Sequence, residues 1–138
     1  MLRYVPSIPP SPAAADTIFE FFRGSGTGPS DYDRIITGDL GRIGSRLLSD
    51  LLAEKGVDIS GKHDDCGVLI FDESQDVHAG GSGCGCCASA LCGKILGDMQ
   101  SGALGNILFV PTGALLSPTT VMQKQTIPSI AHLVNIRI

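Results

Sequence analysis

No cluster of lysine or arginine occurs anywhere in the chain, and the formal net charge is −4. A nucleic-acid backbone or an anionic membrane surface is therefore a poor match as a partner. Long apolar runs are missing too: stretches such as Ile107 to Val110 are far too short to span a bilayer. Met1 to Pro12 lacks the continuous apolar segment of a secretory signal, so the chain reads as soluble, with neither signal peptide nor transmembrane helix. A regular cysteine framework is lacking as well. Of the five cysteines, Cys84, Cys86, Cys87 and Cys92 crowd together and only Cys66 stands apart, which argues against a disulfide scaffold and suits a reducing compartment. Tryptophan is absent and aromatic residues make up 5%.

What is present suits one globular domain. Hydrophobic residues are 43% of 138 and charged residues 17%, enough apolar material for one modest core. Glycine reaches 18, so many backbone positions turn tightly or pass close to a neighbour. Residues 1–12 hold four prolines and read as an extended lead-in, native or appended, ahead of a domain over 13–138.

Periodicity predicts a helix over Ala13 to Arg23, with Ala14, Ile18, Phe19 and Phe22 inward, ended by the glycine-rich run from Gly24. Arg34 to Thr37 is a strand. Ile43, Leu47, Leu48, Leu51 and Leu52 make the apolar face of a second helix that Gly56 stops. Val68 to Asp72 is a second strand, Gln75 to Gly85 a loop, and a third helix runs from about Cys84 to Ser101. Strands over Asn106 to Val110 and His132 to Ile138 close the pattern. The order α-β-α-β-α-β-β implies an α/β fold, a mixed sheet flanked by helices, with the last two strands antiparallel.

The cysteine cluster, with His78 nearby, invites a metal site, but the second ligand pair of a structural zinc site is missing. Helical spacing favours core packing: Cys84, Cys87, Ala88, Leu91, Cys92, Ile95, Leu96 and Met99 form one apolar stripe, with Cys86 alone off it. No metal or cofactor is expected. Ahead of that helix, Gly80, Gly81, Ser82, Gly83 and Gly85 leave the backbone bare. They suit either an anion at a helix start or close packing on another element.

Ligands of open α/β sheets sit beyond the carboxyl ends of strands. Thr37, Gly38 and Asp39 follow the first strand, and Thr112 and Gly113 follow the third. Asp39 is a ligand contact or the N-cap of the next helix; His78 is a ligand contact or a solvated loop residue. With Gly81, Ser82 and Gly83 these make up the candidate site.

Three segments together, Asp33 to Gly41 (DRIITGDLG), Gln75 to Gly85 (QDVHAGGSGCG) and Leu108 to Pro118 (LFVPTGALLSP), resemble the stage V sporulation protein AD family. The opening Ala13 to Ile18 and the ending Ile127 to Leu133 fit the same pattern. The resemblance implies a thiolase-like fold of two similar halves, this chain being most of the C-terminal half without its leading strand. It implies a protein of the developing spore, peripheral to the inner spore membrane. There the family is associated with uptake of dipicolinic acid, with or without calcium, alongside other spore-membrane proteins of the same operon. Condensing relatives place a histidine after the strand resembling RIIT, and an asparagine or histidine at the start of the next core helix. Here Thr37-Gly38-Asp39 and Gly81-Ser82 stand there, so the resemblance implies a binder and not an enzyme; a condensing-type acyltransferase half is the alternative. Without its N-terminal partner half, the chain is expected to self-associate.

Overall fold

The computed structural model describes residues 10–114, 118–123 and 128–138. The first helix, α1 (Ser11–Ser25), carries Pro12 in its opening turn and starts inside the expected lead-in. It ends at Gly26, whose left-handed φ of 68° lets its amide return to the Phe22 carbonyl. Strand β1 (Arg34–Thr37) follows, then α2 (Gly41–Glu54), which Gly56 ends at a φ of 79°.

The second strand is not where the apolar run suggested. Strand β2 is His63–Asp65, and the chain then turns into a short helix, α3 (Cys66–Leu69). Four apolar residues in a row fit a strand or a helix equally. The Asp65 carboxylate decides, accepting the Gly67 amide at 3.0 Å and capping α3. Because β2 lies at the sheet edge, its polar residues need no second covering layer.

The third helix is continuous in path but not in type. It runs as α4 (Cys86–Ala90), a π-helical turn (Leu91–Ile95) and α5 (Leu96–Gln100). Strand β3 (Asn106–Val110) returns to the sheet. Two short strands, β4 (Thr112–Ala114) and β5 (Ser129–Ala131), pair antiparallel around α6 (Pro118–Met122), and β6 (Val134–Arg137) ends the chain. Sequence periodicity missed β4, β5 and α6, each too short to show a repeat. The last strand is also shorter than the expected His132 to Ile138.

The main sheet has the order β2-β1-β3-β6, the first three strands parallel and β6 antiparallel to β3, as the sequence order implied. Alternation along the strands divides the core into two layers. Ile35, Leu108 and Val110 face α1 and α2, meeting Ala14, Ile18, Phe22, Leu48 and Leu52. Ile36, Ile107 and Phe109 face the long helix, meeting Cys66, Cys86, Ala90, Ile95 and Met99. Covered on both faces, β3 can be apolar at four successive positions.

Two helix faces differ from expectation. On α2 the buried positions are Gly41, Gly44, Leu48 and Leu52, while Ile43 is 76% exposed. The inner side of its first turn belongs to glycines. A Cβ on Gly44 would come 3.1 Å from Ser11 Oγ, which donates to the Gly44 carbonyl at 2.9 Å and ties α1 to α2. On the long helix the buried residues are Cys86, Ala90, Ile95 and Met99, whereas Ala88 and Cys92 are exposed; Cys84, expected at its start, lies exposed in the turn ahead of it. The π turn is the cause. It inserts one extra residue, so the inward face before it lies one position earlier than an uninterrupted helix would have it. Only one side of this helix is packed; the other lies at the surface.

Candidate functional site

The parallel register aligns the loops beyond β1 and β3. Thr37 pairs with Val110, so two residues further on Asp39 falls opposite Thr112. The Thr112 hydroxyl donates to Asp39 Oδ1 at 3.0 Å, and the Asp39 amide lies 3.3 Å from the same hydroxyl oxygen. Gly38 makes the approach possible, because a Cβ there would lie 2.7 Å from both the Thr112 nitrogen and its hydroxyl.

The glycine loop arrives from the other side. The Gly81 amide donates to the Gly67 carbonyl at 2.6 Å, and a Cβ on Gly80 would sit 2.6 Å from that carbonyl. Close packing is thus the role of Gly80 and Gly81. Beyond them the Ser82 hydroxyl and the Gly83 amide donate to Asp39 Oδ2 at 3.3 and 3.1 Å. The amide that the sequence offered to an external anion is therefore taken by the chain's own carboxylate. Asp39 joins the three loops instead of capping α2, whose N-cap position is Leu40.

These residues line an open cleft of about 530 Å³ together with Pro10, Cys84, Cys87, Gly113 and Ala114. Of the candidate residues, Asp39, Ser82, Gly83, Thr112 and Gly113 converge there. Gly38 and Gly81 lie just behind, shaping the loops. Thr37 and His78 are elsewhere. Thr37 is fully buried, and its hydroxyl lies 2.6 Å from Asp65 Oδ1 and 2.9 Å from His63 Nε2. A carboxylate only accepts, so the single hydroxyl proton goes to Asp65 and His63 donates from Nε2. Burial pushes the His63 pKa below its usual value despite the opposing pull of Asp65 and Asp64. His78 is exposed on the loop at a φ of 34°, its Nδ1 3.4 Å from Asp76 Oδ1.

Sequence reasoning missed Asp65. Its buried carboxylate accepts from Thr37, from the Leu40 amide at 3.0 Å, from the Gly41 amide at 2.9 Å and from Gly67. It caps α2 and α3 at once and fixes the loop bearing Asp39. An aspartate ending a short polar strand was the only signal, and it became readable only with the strand placed.

The cysteines do not act together. Cys66 and Cys86 are buried and their thiols are pushed up by burial, Cys66 to about 12. Cys84 and Cys92 are exposed and Cys87 is half-buried. Among the described residues, no three His, Cys, Asp or Glu side chains converge as for a metal ion, and no helix is long and apolar enough to cross a membrane.

The profile of the stage V sporulation protein AD family matches residues 9–137. The chain belongs to that family. Stage V sporulation protein AD of Bacillus subtilis (strain 168) is 49% identical over 122 residues, which cover 88% of this chain and 36% of the relative. The chain thus spans about a third of the length of that relative. The match to the family profile begins at Pro9, inside the segment that the sequence alone set aside as a lead-in.

Proposed function

We propose that this chain is most of the C-terminal half of a thiolase-like, non-enzymatic sporulation protein that binds dipicolinic acid on its way into the developing spore. The observation that carries this reading is the Asp39 junction. A condensing reaction needs a general base and donors aimed at a developing oxyanion. At this strand end stands instead a carboxylate whose oxygens are engaged by Thr112, Ser82 and Gly83. Its negative charge would repel an oxyanion. The cleft is one-sided, bounded by strand ends and the glycine loop, as expected of half a site completed by an N-terminal half.

A dicarboxylate beside Asp39 meets a like charge. It enters protonated, or with a divalent cation such as calcium to offset the repulsion. The exposed side of the long helix is a surface that an N-terminal half could cover. The same reading gives the protein a peripheral position at the inner spore membrane, beside other spore-membrane proteins of the operon.

Calorimetry with dipicolinate, with and without calcium, on the full-length protein and on this chain tests the reading. The full-length protein is expected to bind and this chain to bind weakly or not at all. Micromolar binding by this chain alone refutes the shared cleft. A covalent adduct formed by the full-length protein with acyl thioesters refutes the non-enzymatic assignment in favour of a condensing acyltransferase.

A further inference from the structure

Four of the cysteines sort into two pairs of opposite character. Cys66 and Cys86 are shut inside the core. Cys84 is exposed, Cys87 is half-buried, and both line the cleft that Asp39 faces. They are the ends of a C-x-x-C run, Cys84-Gly85-Cys86-Cys87. The Cys86 amide returns to the Gly83 carbonyl at 3.1 Å and the Ser89 amide to the Gly85 carbonyl at 2.9 Å, so Cys84 and Gly85 form a turn that leads into α4 at Cys86. The shared cleft wall places Cys84 and Cys87 on one side of this turn, and side chains three apart across a helical turn stand roughly 5–6 Å apart at Cβ. A disulfide needs about 3.5–4.5 Å. The adjustment is small, and a Cβ at either neighbour of Cys84, Gly83 or Gly85, would meet nothing within 4 Å.

We propose that Cys84 and Cys87 form a redox-active dithiol on the cleft wall, oxidised by a low-molecular-weight disulfide. The Cys84 thiolate attacks one sulfur of that disulfide, breaking its S–S bond and expelling one thiolate. This leaves a mixed disulfide on Cys84. The Cys87 thiolate then attacks the Cys84 sulfur, forms the intramolecular bond and expels the second thiolate. The protons lost by Cys84 and Cys87 end on the two released thiols, so two protein thiols are oxidised as one small disulfide is reduced. Exposure makes Cys84 the attacking group and partial burial makes Cys87 the resolving one. The link joins two residues of the cleft wall, so the surface offered to a ligand depends on redox state.

The chain is equilibrated in graded mixtures of reduced and oxidised glutathione, quenched by alkylation and mapped by tandem mass spectrometry. The expected product is an intramolecular Cys84–Cys87 link, with Cys92 alkylated and with Cys66 and Cys86 modified only after unfolding. Cys87→Ser is expected to accumulate a glutathione adduct on Cys84, and Cys84→Ser to leave Cys87 at least tenfold slower to react. A link that uses Cys92, a purely intermolecular disulfide, or a Cys84 no faster than Cys92 overturns the proposal. The mapping of the wild-type chain decides without any variant.

Discussion

Removing the Asp65 carboxylate tests whether one buried acceptor organises the loops around the cleft. Four donors converge on it: the Thr37 hydroxyl at 2.6 Å and the amides of Leu40, Gly41 and Gly67 at 2.9 to 3.0 Å. Hydrogen bonds to a charged group contribute roughly 1.5–3 kcal/mol each, and a buried donor left unpaired costs about 1–3 kcal/mol. The four are coupled and water will reach some of them, so the sum overstates the loss. Asp65→Ala is expected to cost about 3–5 kcal/mol, of the order found on breaking buried charged contacts. That is a large share of a total near 5–15 kcal/mol. Asp65→Asn discriminates further. An oxygen at the Oδ1 position keeps Thr37 and Leu40, while an amide at Oδ2 sets donors against the Gly41 and Gly67 amides. About half the loss should remain, roughly 1.5–2.5 kcal/mol. Asp64→Ala serves as control, since its ion pair with Arg34 at 3.1 Å is substantially exposed and contributes at most about 1 kcal/mol. Urea unfolding followed by circular dichroism, extrapolated linearly to water, measures all three. An Asp65→Ala variant within about 1 kcal/mol of wild type would refute the reasoning, because every unpaired donor would then have found a replacement.

Two further outcomes follow from the same structure. Burial lowers the His63 pKa from 6.5, so between the folded value and 6.5 the unfolded chain binds more protons than the folded one. Stability should therefore be fully present above 6.5 and fall with pH below it. His63→Gln should flatten that slope in unfolding curves taken from neutral to mildly acid pH; an unchanged slope assigns it to other groups. Second, Ile43, Ile130 and Val134 are more than half exposed and the outer side of the long helix is uncovered. The isolated chain should self-associate as its concentration rises, and a strictly monomeric mass by light scattering at high concentration would contradict this.

The parts of this fold that sequence conveyed are those whose apolar period is set by one element alone. The first helix and the strands Arg34–Thr37 and Asn106–Val110 bury what their own spacing indicates. Errors arose where a neighbour decided. The strand at His63–Asp65 carries little apolar signal because it borders on solvent, and the side chain of Asp65 turns the run after it into helix. The cleft was half legible for the same reason. Strand ends and glycines named Asp39, Ser82, Gly83, Thr112 and Gly113, yet only the register between β1 and β3 shows that Asp39 and Thr112 bind each other. Sequence spacing could not reveal that Asp39 would take the Gly83 amide reserved for a ligand.

The long helix offers the sharpest check on that distinction, because its misread face traces to a single residue. Buried positions run Cys86, Ala90, Ile95, Met99, so the interval lengthens from four to five across the π turn and then returns to four. If the turn is one inserted residue, deleting Gly93 should restore a plain α-helix with the four buried side chains at even intervals of four. Gly93 is exposed and has no side chain, and a Cβ built there would meet nothing within 4 Å, so the deletion removes no side-chain packing. Loss of a helix-interior glycine relieves about 1 kcal/mol, which offsets the adjustment of the flanking turns. Lys94 and Asp98, paired at 2.8 Å and four residues apart, keep their spacing. The deletion variant should fold with a stability within about 1 kcal/mol of wild type by urea unfolding. Deleting Ala88, ahead of the turn, should be far worse: it moves Cys86 off the core-facing side while leaving the insertion in place. Equal tolerance of the two deletions would mean that this helix face is not register-locked, and the physical account of the misplaced cysteines would fail with it.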